Sequence, residues 1–194
     1  SPCLFAQDAV PDTAATEEAP PQVKFEFSSD WNRFRAQDSL IFIEYTAAIA
    51  RAVLSYQKQE DDTYAAEFIV ESKIFLGDSL VNMKNWRTRD TMPELNVQAM
   101  SLIIPIINYF VVPEGQYTLE IKITDKFGDG RAQSTKFEID AFAFGDALTL
   151  SDTQLATTIQ RDDSDSPFAK NGYKVMPNPS ALYGIGVPML YTYT

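Results

Sequence analysis

The chain has 194 residues, 45% of them hydrophobic and 12% aromatic, enough to bury one large domain or one domain and part of a second. With 27 acidic against 16 basic side chains the net charge is −11, which repels nucleic acid and anionic lipid and sets both aside as partners. The absence of histidine removes the commonest general base, the usual catalytic triad and most zinc sites, and the single cysteine, Cys3, allows neither an intrachain disulfide nor a cysteine metal cluster.

Residues 1–7, SPCLFAQ, read as the tail of a secretory signal peptide with a cleavage point after Ala6. Two other readings stay open: Cys3 as a lipoprotein cysteine, and a plain flexible end. Asp8 to Gln22, DAVPDTAATEEAPPQ, has no apolar period and reads as a flexible acidic, proline-rich tether. The expected location is therefore extracytoplasmic, periplasmic or secreted.

Val23, Phe25 and Phe27 alternate as a first short strand, and Asp30-Trp31-Asn32 reads as an irregular crossing. Ser39 to Ala47 is β-prone with apolar residues on both faces, as a central strand would be. Ala52 to Gln57 reads as a short strand, Lys58 to Thr63 as a charged turn, and Tyr64 to Leu76 as a long alternating strand. Leu80 to Trp86 follows as a strand. The pattern lapses from Arg87 to Asn96 and resumes over Val97 to Ile107, up to Pro105. Met100 to Val112 is the most apolar run, but it falls short of the roughly 20 residues of a membrane span.

Pro113 to Phe142 is the clearest stretch. Pro113-Glu114-Gly115 makes an entry turn. Tyr117, Leu119, Ile121 and Ile123 then alternate with polar residues, Lys126 to Gly130 turns the chain, and Phe137, Ile139 and Ala141 return along one face. About seven short strands between residues 23 and 143 predict an all-β fold, an antiparallel β-sandwich of immunoglobulin or fibronectin-III type. Residues 144–194 read as the start of an incomplete second β domain. Within it Ser151-x-x-Gln154 allows a helix cap, but the threonines and the alternation of Leu155, Thr157 and Ile159 favour a strand. Leu190 to Thr194 opens a strand with nothing downstream to pair with.

Few residues carry chemistry. Asp125 and Asp129 beside Gly130 have oxygen ligands suited to calcium, as does the run Asp162 to Asp165, but a hairpin turn and a solvated loop are the simpler readings. Trp31, Trp86 and Tyr109 are candidate platforms for stacking a sugar or a peptide side chain, and core packing is the preferred reading for each. No catalytic residue, cofactor or metal is assigned, and the chain is read as non-enzymatic.

The strand order, the segments Tyr64 to Phe68 and Pro113-x-Gly115-x-Tyr117-x-Leu119, and Leu150-Ser151-Asp152 leading to Asn171-Gly172 and Pro177-Asn178-Pro179 give the chain a likeness to a known family. It resembles the N-terminal β-rich region of the GWxTD domain-containing proteins of Gram-negative bacteria. The naming motif is absent: Asn85-Trp86-Arg87-Thr88-Arg89-Asp90 lacks its glycine and has an extra residue before the aspartate. The resemblance implies the front part of a longer secreted protein, and no reaction. Two functions are expected from the whole reading. One is a non-catalytic scaffold or protein-interaction module of a cell-envelope protein, with its partner bound through an exposed sheet edge. The other is a carbohydrate- or peptide-binding accessory module of an envelope enzyme system.

Overall fold

The computed structural model describes residues 24–37, 40–142, 144–145, 149–183 and 191–193. The leader reading at residues 1–7, with Cys3, and the tether at residues 8–22 lie outside the described residues.

The chain is nearly all β, and three antiparallel sheets account for its strands. The first sheet has the order β1 (Phe27–Arg35), β2 (Ile41–Ala50), β6 (Ile103–Val112). The second is built on β4 (Tyr64–Leu76). Its neighbours are β5 (Ser79–Met92) along one edge and β7 (Gly115–Asp125) along the other, with β8 (Ala132–Ala141) beyond β7. The two-residue β3 (Gln57–Lys58) extends the β7 side of β4. In immunoglobulin lettering these sheets are A-B-E and C′-C-F-G.

Alternation in the sequence decides which side chains meet between them. Ile41, Ile43, Tyr45, Ala47 and Ile49 of β2 face Phe68, Val70 and Ile74 of β4 and Leu119, Ile121 and Ile123 of β7, all essentially inaccessible to water. Each Ile, Leu, Val and Phe among them contributes about 1.5–3 kcal/mol by leaving water. Tyr117, at the start of strand F, donates from its hydroxyl to the Pro113 carbonyl at 3.1 Å. This is the tyrosine corner that closes many immunoglobulin-like sandwiches. The opposite face of the second sheet is a chequer of charge in register: Glu71 beside Lys122, Lys73 beside Glu120, Glu120 beside Lys136. It is a face built for water.

The third sheet has the order β10 (Ala169–Lys170), β11 (Tyr173–Pro177), β9 (Gln154–Arg161), β12 (Tyr191–Tyr193). It covers the outer face of the first sheet. Asp152 accepts the Arg33 amide at 2.8 Å and both arms of the Arg33 guanidinium at 3.0 Å, and its own amide donates to the Arg33 carbonyl at 3.1 Å. Asn32 Nδ2 donates to the Thr153 carbonyl at 3.2 Å. With sheets on both sides, β2 is the central strand of the molecule, as its two apolar faces predict.

The long strands at 64–76 and 115–125 and the return at 132–141 fall where the alternation places them, and Gln154 to Ile159 is strand rather than helix. Four local expectations are corrected. The first strand begins at Phe27 and runs through Asp30-Trp31-Asn32, because nine register partners on β2 hold a polar segment of weak intrinsic preference extended. Residues 52–56 are not a strand, and only Gln57 of the expected segment enters one, β3: Arg51–Val53 is a 3-10 turn, and the Arg51 guanidinium and Tyr56 hydroxyl both bind Asp90, at 2.8 and 2.6 Å, which folds the segment across the sheet end. The strand after Gly77 continues to Met92. Its second half shows no apolar period because β5 lies at an edge, with polar side chains on both faces. Residues 97–100 form a single helical turn, α1 (Val97–Met100), capped by Asn96 Oδ1 accepting from the Ala99 amide at 2.8 Å.

Candidate functional site

Two clefts open between the first and third sheets. One, of about 320 Å³, lies under Asn178 and Pro179 against Ala48, Ala50 and Pro105. The other, of about 650 Å³, has the outer face of the first sheet as one wall and residues 166–171 as the other. Its apolar side is Phe34, Phe42, Ile107 and Tyr109, brought together because β1, β2 and β6 place them on the same outer face.

The polar end of this cleft is Glu44 with Lys170, joined by Gln154. Lys170 Nζ makes a short ion pair with Glu44 Oε1 and donates to Gln154 Oε1 at 2.7 Å. Gln154 Nε2 donates to Glu44 Oε1 at 2.7 Å. The Glu44 and Lys170 side chains are 6% and 13% exposed, so the pair is removed from water. Burial lowers the Lys170 pKa, and the Glu44 carboxylate works against that fall. A charge pair this enclosed holds two sheets in one register; its groups are occupied with one another rather than poised for a substrate.

The three aromatic candidates are placed on three strands. Trp31 on β1 and Trp86 on β5 are half-buried and pack against the core. Tyr109 is 46% exposed and stands in the cleft wall. Its ring stacks on Phe42 at 4.5 Å, from the β2 side, while Lys84 reaches from β5 to lie 4.1 Å from the ring centroid. Phe42 and Lys84 thus both contact a ring that remains 46% exposed. Burial lowers the Lys84 pKa, and Lys84 donates to Asn108 Oδ1 at 2.7 Å.

The acidic candidates serve the backbone. Asp125 is fully buried, and its carboxylate accepts from the amides of Ser55 and Phe127, at 2.9 and 3.1 Å, and from Arg131 Nη2 at 2.9 Å. Asp129 is the exposed turn residue, in the left-handed region at φ 53°. Asp162 Oδ1 accepts from the Ser164 amide at 2.9 Å, a local turn that pulls its pKa below the ordinary value. Among the described residues no three acidic, histidine or cysteine side chains are grouped to hold a metal ion.

Phe34, Phe42, Glu44, Gln154 and Lys170 were not reachable as a site from the sequence, since their meeting depends on how the third sheet docks. Glu44 carried the one usable signal: a lone acid between Ile43 and Tyr45 in an otherwise apolar strand.

Large apolar side chains are exposed on the β4–β5 hairpin and on β6. Leu76, Leu80, Val81 and Met83 on the β4–β5 hairpin and Tyr109 and Val111 on β6 are each 43–49% exposed. One side-chain bond, from Lys84 to Asn108, links β5 with β6. Comparison with known protein families, with curated proteins and with solved structures returns no match to this chain.

Proposed function

We propose that this chain is a non-catalytic, extracytoplasmic protein-interaction module, the front part of a longer cell-envelope protein of the GWxTD domain-containing kind. The exposed apolar side chains Leu80, Val81 and Met83 of β5, a strand whose partner among the described residues is β4 alone, carry this reading, because exposed apolar residues on an open sheet edge mark a docking site for another chain. The leader-like residues 1–7 and the resemblance of strand order support the location and family. The pairs Glu44–Lys170 and Asp125–Arg131 are spent on structure, which supports a non-catalytic role.

The test uses the full-length protein in its native cells. Leu80→Ser with Val81→Ser is compared with the unaltered protein by quantitative cross-linking mass spectrometry, after confirming an unchanged melting temperature. Loss of an envelope-protein partner supports the reading, and an identical partner set refutes it. A cytoplasmic pool on fractionation contradicts the location.

The cleft of about 650 Å³ favours a second reading, a binding site for a sugar or peptide side chain. Stacking a sugar needs an open aromatic face, and Phe42 already occupies one face of Tyr109. Gels containing polysaccharide would retard the protein, but not its Phe34→Ala form, if this second reading held.

A further inference from the structure

The strands at the borders of the sandwich are protected unequally. On β6 the Tyr109 amide is capped by Asn108 Oδ1 at 2.9 Å, the same oxygen accepts from Lys84, and Pro105 has no N–H to offer. Along β8, β1 runs beside the edge: Gln133 Oε1 accepts from the Phe27 amide at 2.8 Å and the Asp140 carbonyl accepts from Arg33 Nη1 at 2.6 Å. β5 differs. Its strand partner among the described residues is β4 alone.

The direction of its backbone groups follows from two bonds. The Met83 amide is satisfied by Asn82 Oδ1 at 2.8 Å, so it turns away from β4. The Glu67 carbonyl accepts from the Lys126 amide at 2.8 Å, so odd-numbered residues of β4 bond toward β7 and even-numbered ones toward β5. The ladder pairs Val70 with Trp86 and Phe68 with Thr88. Asn85, Arg87, Arg89 and Thr91 therefore aim N–H and C=O groups outward, and their side chains are exposed.

The charge of this edge is also distinct. β5 carries Lys84, Arg87 and Arg89 with no acid before Asp90, in a chain of net charge −11. Arg87 and Arg89 are 62% and 50% exposed and share the single carboxylate of Glu67, at 3.3 and 3.4 Å, which leaves one positive charge in that group unmatched.

Resting on the protein-interaction reading above, we propose that β5 from Asn85 to Thr91 accepts an extended, acidic segment of a second protein as an added strand. Acidic side chains of that segment lie beside Arg87 and Arg89 on the outer face, and alternate apolar ones lie beside Trp86 and Thr88. A second copy of β5 is a poor occupant. The antiparallel registers centred on residues 86 to 90 set an arginine of one copy directly or diagonally opposite an arginine of the other.

Two capped nonapeptides test this with the complete chain, one alternating Val and Glu, the other Val and Lys. Amide exchange is followed by NMR. The Val/Glu peptide slows exchange at Asn85, Arg87, Arg89 and Thr91 while Trp86 and Thr88, already bonded to β4, do not change. It binds about tenfold more tightly than the Val/Lys peptide, and Arg87→Gln with Arg89→Gln removes the preference without unfolding the strand. Protection appearing at β6 or β8 instead overturns the assignment to β5 and leaves the broader reading standing. Absence of protection at any edge with either peptide overturns the strand-addition proposal. The broader reading fails separately, if the Leu80 and Val81 substitutions leave the partner set unchanged.

Discussion

The hydroxyls of Tyr45 and Ser72 lie 2.6 Å apart in the middle of the sandwich, one from each of its two facing sheets. Both residues are fully buried, and burial pushes the Tyr45 phenol above the ordinary tyrosine value while the Ser72 bond pulls it down. Ser72→Ala strands the phenol without a partner and is expected to cost about 1–3 kcal/mol. Adding Tyr45→Phe recovers part of that loss, because the orphaned polar group goes with it. A double-mutant cycle by urea unfolding checks the sign: a double variant as unstable as the sum of the singles would show that the two hydroxyls do not depend on each other.

The Glu44–Lys170 pair predicts a second asymmetry. Lys170→Ala leaves a carboxylate buried with only Gln154 as partner and is expected to cost about 3–5 kcal/mol. Glu44→Gln with Lys170→Met removes both charges and keeps an amide for Gln154, so it should lie within about 1 kcal/mol of the parent. Thermal unfolding of the three proteins decides between a pair that stabilises outright and one that mainly fixes how the third sheet sits.

Gly128 should tolerate no side chain. A Cβ there would collide with Asp125 Oδ2 and lie 2.7 Å from Arg131 Nε and Ser55 Oγ. Gly128→Ala must then break the bonds that hold Asp125 in the turn, with an expected loss of about 1–3 kcal/mol. Calcium should not raise the melting temperature, since both Asp125 oxygens already accept from protein donors. A calcium-dependent rise lost in Asp125→Asn would contradict this assignment.

Acid should loosen the contact between the first and third sheets. Burial works to raise the Asp152 carboxyl, but the Arg33 side chain and amide together bring it below its ordinary 3.8. A folded value below the unfolded one means the contribution is present in full above the ordinary carboxylate range. It is lost as the pH falls through the lowered value. Asp152→Asn should therefore be less stable than the parent at neutral pH and converge with it in acid, as followed by urea unfolding at each pH. Curves that stay equally separated at every pH would show that the Arg33–Asp152 pairing is not the acid-sensitive contact.

How much of this was available in the sequence divides along strand position. The hairpin of β7 and β8 and the long β4 bury one face each, so Tyr117, Leu119, Ile121 and Ile123 announce themselves by a period of two. The edge strands do not. Arg87 to Met92 and Asp30 to Asn32 are held extended by partners distant in sequence, and nothing local says so. The same holds for the cleft: Phe34, Phe42 and Lys170 come from three strands in two sheets, and only the docking of the third sheet unites them. Tyr109 was legible only as a candidate platform with core packing preferred, whereas its contacts with Phe42 and Lys84 join three strands that no spacing connects.

The most direct test of the interaction module is site-specific photo-crosslinking in native cells, with the reactive group at Asn85 on the open edge of β5 and, as a control, at Lys122 on the water-facing side of the second sheet. The account predicts a discrete protein adduct from Asn85 and none from Lys122, with the cross-linked peptide an extended segment bearing alternate acidic residues. Adducts of equal yield from both positions, or none from Asn85, would contradict it.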